Sequence, residues 1–180
     1  MRIITGKARG KKLITLEGEA VRPTTDKVKE ALFNILQFQL EGRSFLDMFS
    51  GSGQIALEAI SRGAKSALLI DASKSAAKVI EQNIKACGFE RECTLINADS
   101  VMYVKNSRLT FDIAFIDPPY KQGLLESALL AAASRMNKGG IIVCEHPFDE
   151  AVPEKLGEFE RAKDYKYGKV VLTSYKMPGT

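Results

Sequence analysis

The sequence predicts an α/β fold with a doubly wound and mostly parallel sheet of seven strands. Short apolar runs alternate along the chain with helical stretches, a pattern that is typical of βαβ units. The strand-like runs are residues 44–49, 66–70, 93–97, 111–116 and 140–144, and the helical stretches are 54–62, 74–87, 122–135 and, less clearly, 99–105. The apolar runs lack strict alternation, as expected for strands that are covered on both faces. We therefore expect a Rossmann-like architecture.

The two ends of the chain have different patterns. Near the carboxyl end, "FERAKDYKYGKVVLTSYKM" contains two strand-like runs with no helix between them, which predicts an antiparallel hairpin. The first 16 residues alternate and contain the turn-like "KARGKK", which predicts a small β-hairpin. A helix over "RPTTDKVKEALFNILQFQL" follows, with Thr25 or Asp26 as its cap and an apolar stripe of Val28, Leu32, Ile35 and Leu36. We divide the chain into an extension (1–40) and a main domain (41–180).

Composition limits the class of protein. The chain has 180 residues, 45% of them apolar, which is enough for one sizeable domain. No apolar stretch approaches the length of about 20 residues that a membrane span needs, and the charged start lacks the apolar segment of a secretory signal. Three cysteines without C-x-x-C spacing, Cys87, Cys93 and Cys144, indicate free or buried thiols. With one histidine we expect no metal site, and we expect a cytoplasmic monomer.

Charge is unevenly distributed along the chain. Residues 1–30 carry eight Lys/Arg and four acids, and residues 161–180 carry five and one, so each end has a net charge of +4. The segment between them, 31–160, sums to −4. Two solvated surface segments would explain this, and so would a polyanionic partner. Both readings stay open at this point.

The clearest signal for a ligand is "FLDMFSGSGQIALEAISRGA", which reads as a strand, a glycine turn and a helix. Gly51 and Gly53 allow the backbone to turn tightly and approach a ligand, and the helix after them presents free N–H groups. Asp71 ends the next strand, where a ribose-binding acid is expected. This combination predicts a nucleoside-type ligand.

Two further acids bear on which nucleoside is bound. Asp47, just before the glycines, would repel the diphosphate of a dinucleotide but attract the cationic sulfonium and amino groups of S-adenosylmethionine (SAM). It could also simply cap the turn. Asp99, in "LINADS", could reach the adenine amine or cap the short helix after it, and these two roles are compatible.

The stretch "FDIAFIDPPYKQG" ends a buried strand with an acid, two prolines and an aromatic residue. Asp117 would lie on the edge of the sheet where open α/β folds bind ligands. Pro118 and Pro119 stiffen the loop, so that the Asp117 carboxylate and the Pro118 carbonyl can accept hydrogen bonds from an exocyclic amine in a fixed pose. Tyr120 can stack on an extruded base. A rigid surface turn with a core tyrosine is the plainer alternative.

Together, "DMFSGSG" and "DPPY" resemble the class I SAM-dependent amino-methyltransferases. "RIITGKARGKKL", "RPTTDKVKEALFNIL" and "SGSGQIALEAISRGA" narrow the resemblance to the RsmD family, over nearly the whole chain. Members of that family methylate the N2 amine of one guanine in bacterial 16S ribosomal RNA. The resemblance therefore implies SAM as cofactor and 16S RNA, in the small subunit or an assembly intermediate, as partner.

The resemblance also implies roles for individual residues. It assigns Asp47, Ser50, Gly51 and Gly53 to the cofactor loop, Asp71 to the cofactor ribose, Asp99 with Ser100 to the adenine, and Asp117 to Tyr120 to the target guanine. Thr25, with Arg22 and Thr24, would lie near the methionine end of the cofactor or the substrate entrance. We expect RNA phosphates to bind a set of basic residues in a salt-sensitive manner, namely Arg2, Lys7, Arg9, Lys11, Lys12 and Arg22.

The sequence departs from the family pattern at two positions, and other functions remain possible. Ser50 stands where alanine is more usual, and Asp71 replaces a commoner glutamate but can still accept a bond from a ribose hydroxyl. The alternatives are the same chemistry on adenine or cytosine in DNA, on another RNA or on a protein glutamine. More distant ones are an NAD-binding oxidoreductase and a non-catalytic RNA-binding assembly protein.

Overall fold

The computed structural model describes residues 1–16 and 26–180. The helices are α1 (Asp26–Ile35), α2 (Gln54–Ser61), α3 (Lys74–Cys87), α4 (Ser100–Asn106) and α5 (Leu125–Ala133). The strands are β1 (Ser44–Asp47), β2 (Ser66–Asp71), β3 (Cys93–Asn97), β4 (Phe111–Ile116), β5 (Met136–Pro147), β6 (Lys155–Leu156), β7 (Phe159–Tyr167) and β8 (Val170–Lys176). The predicted alternation of helices and strands is confirmed.

All strands belong to one sheet in the order β3-β2-β1-β4-β5-β8-β7-β6. Strands β1 to β5 pair in parallel, and β8, β7 and β6 continue the sheet antiparallel. The chain runs outward from β1 to β3 and then returns to place β4 on the other side of β1. Because the strand order reverses there, a crevice opens outside the carboxyl ends of β1 and β4, which is where open α/β sheets bind ligands.

The structure corrects three details of the sequence prediction. The sheet has eight strands rather than seven, because the two residues of β6 are too few to leave a sequence pattern. Strand β5 begins at Met136, earlier than the expected 140. Helix α1 ends at Ile35, and Phe38 follows with a positive φ of 70°, so the chain leaves the helical path before residue 40.

The first 16 residues, here called the arm, form the predicted hairpin as a short one. Its single antiparallel bridge joins Arg2 and Lys12, and the Ile3 amide donates to the Lys11 carbonyl at 2.9 Å. The arm runs out and back along α2. The Ser52 hydroxyl contacts the Met1 sulfur at 3.3 Å, and the Lys7 amide donates to the Ser61 carbonyl at 2.9 Å. The chain therefore turns back near the carboxyl end of α2.

The core lies on both faces of the sheet. Ile113 and Phe115 of β4 face a cluster that includes arm, α1, α2 and α3 residues, whereas Ala114 and Ile116 face a second cluster with α4 and α5. This arrangement explains why the strands read as continuous apolar runs. The three cysteines are free, as predicted. Within residues 1–16 and 26–180, no helix is long and apolar enough to cross a membrane.

Candidate active site

A cleft of about 680 Å³ lies at the carboxyl ends of β1 to β4. The predicted residues that line it are Gly51, Asp71, Asp99, Ser100, Asp117, Pro118, Pro119 and Tyr120. Four separate strand ends contribute these residues, so the sheet brings together segments that are far apart in the sequence. Asp47, Ser50 and Gly53 are buried and stand behind this lining. Thr25, with Arg22 and Thr24, falls outside the described residues.

The glycine loop is fixed by its own backbone. Gly51 and Gly53 have φ values of 58° and 85°, a conformation that side chains with a Cβ rarely adopt. A Cβ on Gly53 would also lie 3.3 Å from the Leu69 side chain. Ser50 closes the loop, because its carbonyl accepts from the Gly53 amide at 2.7 Å and its hydroxyl donates to the Asp47 carbonyl at 3.0 Å. Ser50 is therefore a structural member of the loop.

Asp71 joins the loop to the end of β2. One carboxylate oxygen accepts from the Gly51 amide at 2.9 Å, and the other accepts from the Ser73 amide at 3.0 Å. Each oxygen can accept a second hydrogen bond, so the carboxylate can also receive hydroxyl groups of a ligand. Asp71 thus orders the loop and remains chemically suited to a ribose.

Asp47 is a buried acid whose carboxylate lacks a hydrogen-bond partner. Its side chain is 1% exposed, and neither carboxylate oxygen is hydrogen-bonded. Burial, and to a smaller extent the negative charge of Asp71, raise its pKa from 3.8 to about 7. The nearby Ser50 hydroxyl and the nearby amides of Ala56 and Phe49 oppose this only in part. A cationic group close by would stabilise the ionised carboxylate. This unsatisfied acid suits a positively charged ligand better than a diphosphate.

Asp99 and Ser100 begin α4 at the end of β3. Asp99 caps the helix, accepting from the Met102 amide at 2.9 Å, while the carboxylate stays exposed at the cleft. The capping alternative is therefore realised, and contact with an adenine remains a prediction. The buried Ser100 hydroxyl donates to the Met48 carbonyl and ties α4 to the segment after β1.

The loop from Asp117 to Leu124 forms the opposite side of the cleft. Asp117 and Tyr120 are half-buried, Pro118 is buried and Pro119 is exposed. Lys121 has a φ of 57° and its ammonium lies 3.4 Å from the Asp149 carboxylate, which joins this loop to the turn after β5. The acid and the aromatic ring thus line the same space as the glycine loop.

The predicted basic residues that the structure describes all lie on the arm, which runs along α2. Arg2, Lys7, Arg9, Lys11 and Lys12 are exposed on the arm. The arm reaches the cleft through Leu16, which belongs to its lining, and extends along α2, a helix about 12 Å long at 1.5 Å per residue. Arg22 lies outside the described residues.

Sequence reasoning missed several residues that shape the site. Ser73, Ala76 and Val101 line the cleft, and the position of Ser73 just after the strand end at Asp71 could have indicated it. Glu58 and Lys29 gave no signal, yet they form a fully buried ion pair at 3.1 Å beneath the arm. Glu145 and His146 are buried in β5, where His146 bonds to Thr173 at 2.8 Å.

Comparisons with known proteins agree with this geometry. The family described as conserved hypothetical protein 95 matches residues 1–176. A relative from Escherichia coli named "Ribosomal RNA small subunit methyltransferase D" is 30% identical over 178 residues, covering 98% of this chain and 89% of that protein. The solved structure of the Escherichia coli protein yhhF has a TM-score of 0.89 and 28% identity, covering 100% of this chain and 99% of that one.

A more distant structure supports the same fold. The protein SMU.776, solved as a complex with SAH, has a TM-score of 0.70 and 16% identity. The match covers 84% of this chain and 48% of that one.

Proposed function

Because this chain belongs to the family described as conserved hypothetical protein 95, the RsmD family of methyltransferases, we propose that it methylates the exocyclic N2 amine of a guanine in small-subunit ribosomal RNA. The family makes it a SAM-dependent methyltransferase. Relatives from Escherichia coli and Haemophilus influenzae that are named "Ribosomal RNA small subunit methyltransferase D" support ribosomal RNA as the substrate. The choice of the guanine N2 amine rests on the resemblance of the sequence to the RsmD family.

One observation carries the proposal: the glycine loop and the Asp-Pro-Pro-Tyr loop line a single cleft. A methyl transfer needs a donor and an acceptor held in line, and positioning of this kind accounts for a large part of enzymatic rate enhancement. The two loops come from neighbouring strands, since β1 and β4 pair directly. The distance between the two halves of the site is therefore fixed by the sheet.

The cofactor side suits SAM, which supplies an electrophilic methyl group on a positively charged sulfur. The unsatisfied Asp47 carboxylate provides negative charge behind the loop. We assign ribose binding to Asp71 and the adenine end to Asp99 with Ser100. The amide of Gly51 is bonded to Asp71, so this carboxylate holds the loop in position.

The substrate side suits an exocyclic amine. Such an amine is a poor nucleophile because its lone pair is delocalised into the base. We assign the Asp117 carboxylate and the Pro118 carbonyl to accept hydrogen bonds from the amine, which favours a localised lone pair directed at the methyl carbon. Tyr120 stacks on the extruded base. As the new N–C bond forms and the C–S bond breaks, the amine becomes acidic and water takes its proton, so Asp117 need not be a strong base.

The arm extends this site toward a large polyanion. Its five basic residues are exposed and no acid lies within residues 1–16. Lys and Arg that neutralise phosphates make binding fall steeply with salt. We assign the arm to the RNA backbone next to the target base.

The test is transfer of radiolabelled methyl from SAM to unmodified 16S RNA, to partly assembled small subunits and to duplex DNA, with identification of the labelled nucleoside. We expect N2-methylguanosine in a ribosomal substrate and its loss in Asp117→Ala. Glu81→Ala removes an acid exposed on α3 and serves as the matched control. Calorimetry should show that Asp117→Ala still binds SAM. Label in DNA, or SAM binding without label in any RNA, would refute the ribosomal assignment.

A further inference from the structure

The exposed aromatic residue Phe148 lies on a well-fixed turn at the end of β5. Its side chain is 61% exposed. Its amide donates to the Lys169 carbonyl at 3.0 Å, and the Glu150 amide closes the turn by donating to the Pro147 carbonyl at 3.1 Å. A single exposed apolar residue needs no explanation by itself. The surroundings of Phe148, however, distinguish it from the other exposed apolar residues of the described chain.

This turn adjoins the substrate side of the cleft. Ile116, the last residue of β4, pairs with Cys144, so β5 continues for three residues beyond β4 at the edge where the cleft opens. Asp149, next to Phe148, contacts Lys121 in the loop that carries Tyr120. Phe148 therefore follows β5 at the edge of the sheet where the cleft opens, next to the loop that carries Tyr120.

The second basic segment of the sequence reaches the same place. Pro147 pairs with Val170, and Val170 pairs with Tyr167, so the β7–β8 turn lies beside Phe148. Lys169 lies on this turn, and Lys166 lies near the end of β7. Both are exposed, and neither forms an ion pair with another residue of the described part of the chain. Of the two acids that follow Phe148, Asp149 is paired with Lys121 and Glu150 offsets one of the two lysines, so the net charge here is positive.

We propose that Phe148, Lys166 and Lys169, here called the Phe148 surface, form a second RNA-binding surface: Phe148 stacks on a base next to the target nucleotide, and the two lysines bind its phosphates. An aromatic platform beside positive charge is the usual means of holding single-stranded nucleic acid. Extruding a base leaves its neighbours partly unstacked, and an aromatic side chain can replace the lost stacking. The inference rests on the proposed function, because it takes the substrate to be RNA.

Fluorescence offers a direct test of stacking, since the chain contains no tryptophan. In Phe148→Trp the indole becomes the only tryptophan, and we expect its emission to be quenched as single-stranded RNA with the target sequence binds. Leu109→Trp is the matched control. Leu109 is 52% exposed and lies just before β4, at the opposite edge of the sheet. We expect no quenching there, while fluorescence anisotropy of labelled RNA reports equal binding by both variants.

Affinity and kinetics test the contribution of each part. Stacking on one base corresponds to a factor of about 5 to 150 in affinity, so Phe148→Ala should raise Kd and KM for RNA by at least about fivefold. Phe148→Tyr should restore most of the lost RNA affinity, and the affinity for SAM should stay unchanged in both variants.

The double variant Lys166→Ala with Lys169→Ala tests the phosphate contacts. The slope of the logarithm of the RNA-binding constant against the logarithm of the salt concentration should become shallower by about 0.7 for each lost phosphate contact. Lys105→Ala with Lys138→Ala, two exposed lysines at the far edge, should not change it.

The outcomes separate this inference from the proposed function. Quenching at position 148 with weakened RNA binding in Phe148→Ala would support the Phe148 surface even if methyl transfer failed. Methylation of RNA without quenching, and with unchanged Kd in Phe148→Ala, would overturn the surface and leave the function intact. If Phe148→Ala impaired methylation of assembled subunits only, the contact would be with a ribosomal protein, and the RNA inference would be wrong.

Discussion

The two flanks of the cleft are fixed in different ways. On the arm side, the buried Glu58 carboxylate holds the arm and the half-buried Asp71 carboxylate holds the glycine loop. On the turn side, the Asp-Pro-Pro-Tyr loop adjoins β5, and the β7–β8 turn is held by strand pairing. Segments that carry basic residues are thus held in two ways, the arm by a few polar side chains and the β7–β8 turn by backbone hydrogen bonds between strands. The two designs should differ in their sensitivity to mutation.

Glu58 is the central group of the arm side. Its carboxylate accepts from the Ile4 and Thr5 amides at 2.8 and 3.0 Å and pairs with Lys29 and Arg62. Burial would raise its pKa, but the hydrogen bonds from Ile4 and Arg62 and the charge of Lys29 outweigh burial and hold the pKa below the usual value. Asn83 adds a second anchor, binding Ile14 at 2.8 Å. The position of the arm therefore depends on very few groups.

The largest effect is expected from Glu58→Ala. This change leaves Lys29 buried without its counter-charge and frees two arm amides, which should lower the free energy of unfolding by about 3–5 kcal/mol. Denaturant unfolding measures the loss. Glu81→Ala breaks an exposed pair with Lys85 at the same i,i+4 spacing as the Glu58–Arg62 pair. It should cost less than about 1 kcal/mol. An equal loss of unfolding free energy in Glu58→Ala and Glu81→Ala would show that the arm does not depend on the buried Glu58 carboxylate.

The glycine loop should make stability depend on pH through Asp47. Because its pKa is raised from 3.8 to about 7, the folded protein binds a proton that the unfolded chain releases. The free energy of unfolding is therefore greatest at pH values below the pKa of Asp47 in the unfolded chain. It falls as the pH rises to about 7, by at most about 4 kcal/mol. Unfolding measured between pH 5 and 7.5 should show this fall, and Asp47→Asn should flatten it.

The same acid should couple cofactor binding to proton release. A cationic ligand favours the ionised carboxylate, so SAM binding near pH 6 should release a proton, measurable by calorimetry in buffers of different ionisation enthalpy. Asp47→Asn should abolish the release. A release of equal size in that variant would mean that the ligand charge is balanced elsewhere.

An intermediate effect is expected at Gly6, where the arm turns back against α2. Its φ is 91°, and a Cβ there would lie 1.9 Å from the Ser61 carbonyl oxygen. Gly6→Ala should displace the turn and cost about 3 kcal/mol from overpacking. Gly10 has a similar φ of 85° but open space around it, so Gly10→Ala should cost only the conformational strain of about 1–2 kcal/mol. Thermal unfolding compares them, and similar losses would show that the Ser61 contact is unimportant.

The smallest effect is expected on the turn side. Lys121→Ala removes the exposed ion pair with Asp149 and should change stability by less than about 1 kcal/mol. Backbone pairing of β5 with β8 holds the turn regardless. Hydrogen exchange at the Phe148 amide should be unchanged, because that amide bonds to the Lys169 carbonyl. Faster exchange there would show that a side chain also fixes this flank.

Much of the site could be predicted because its residues follow strand ends. Gly51, Asp71, Asp99 and Asp117 each lie at the end of a parallel strand or in the loop after it, and the carboxyl ends of such strands meet at one edge of the sheet. The arm was predicted less well. Its alternating pattern predicted a hairpin, and the structure has a short one. Other arm amides, however, bond to Glu58, Ser61 and Asn83, which are more than 50 residues away.

The sequence by itself determined the alternation of helices and strands, the glycine turn and the acid-proline-proline-tyrosine loop, because each depends on local periodicity and backbone geometry. Only the tertiary structure decided that Glu58 and Lys29 pair beneath the arm and that Phe148 stands beside Lys169. Such contacts join residues that are distant in sequence, and they arise from packing and strand order, which no local pattern encodes.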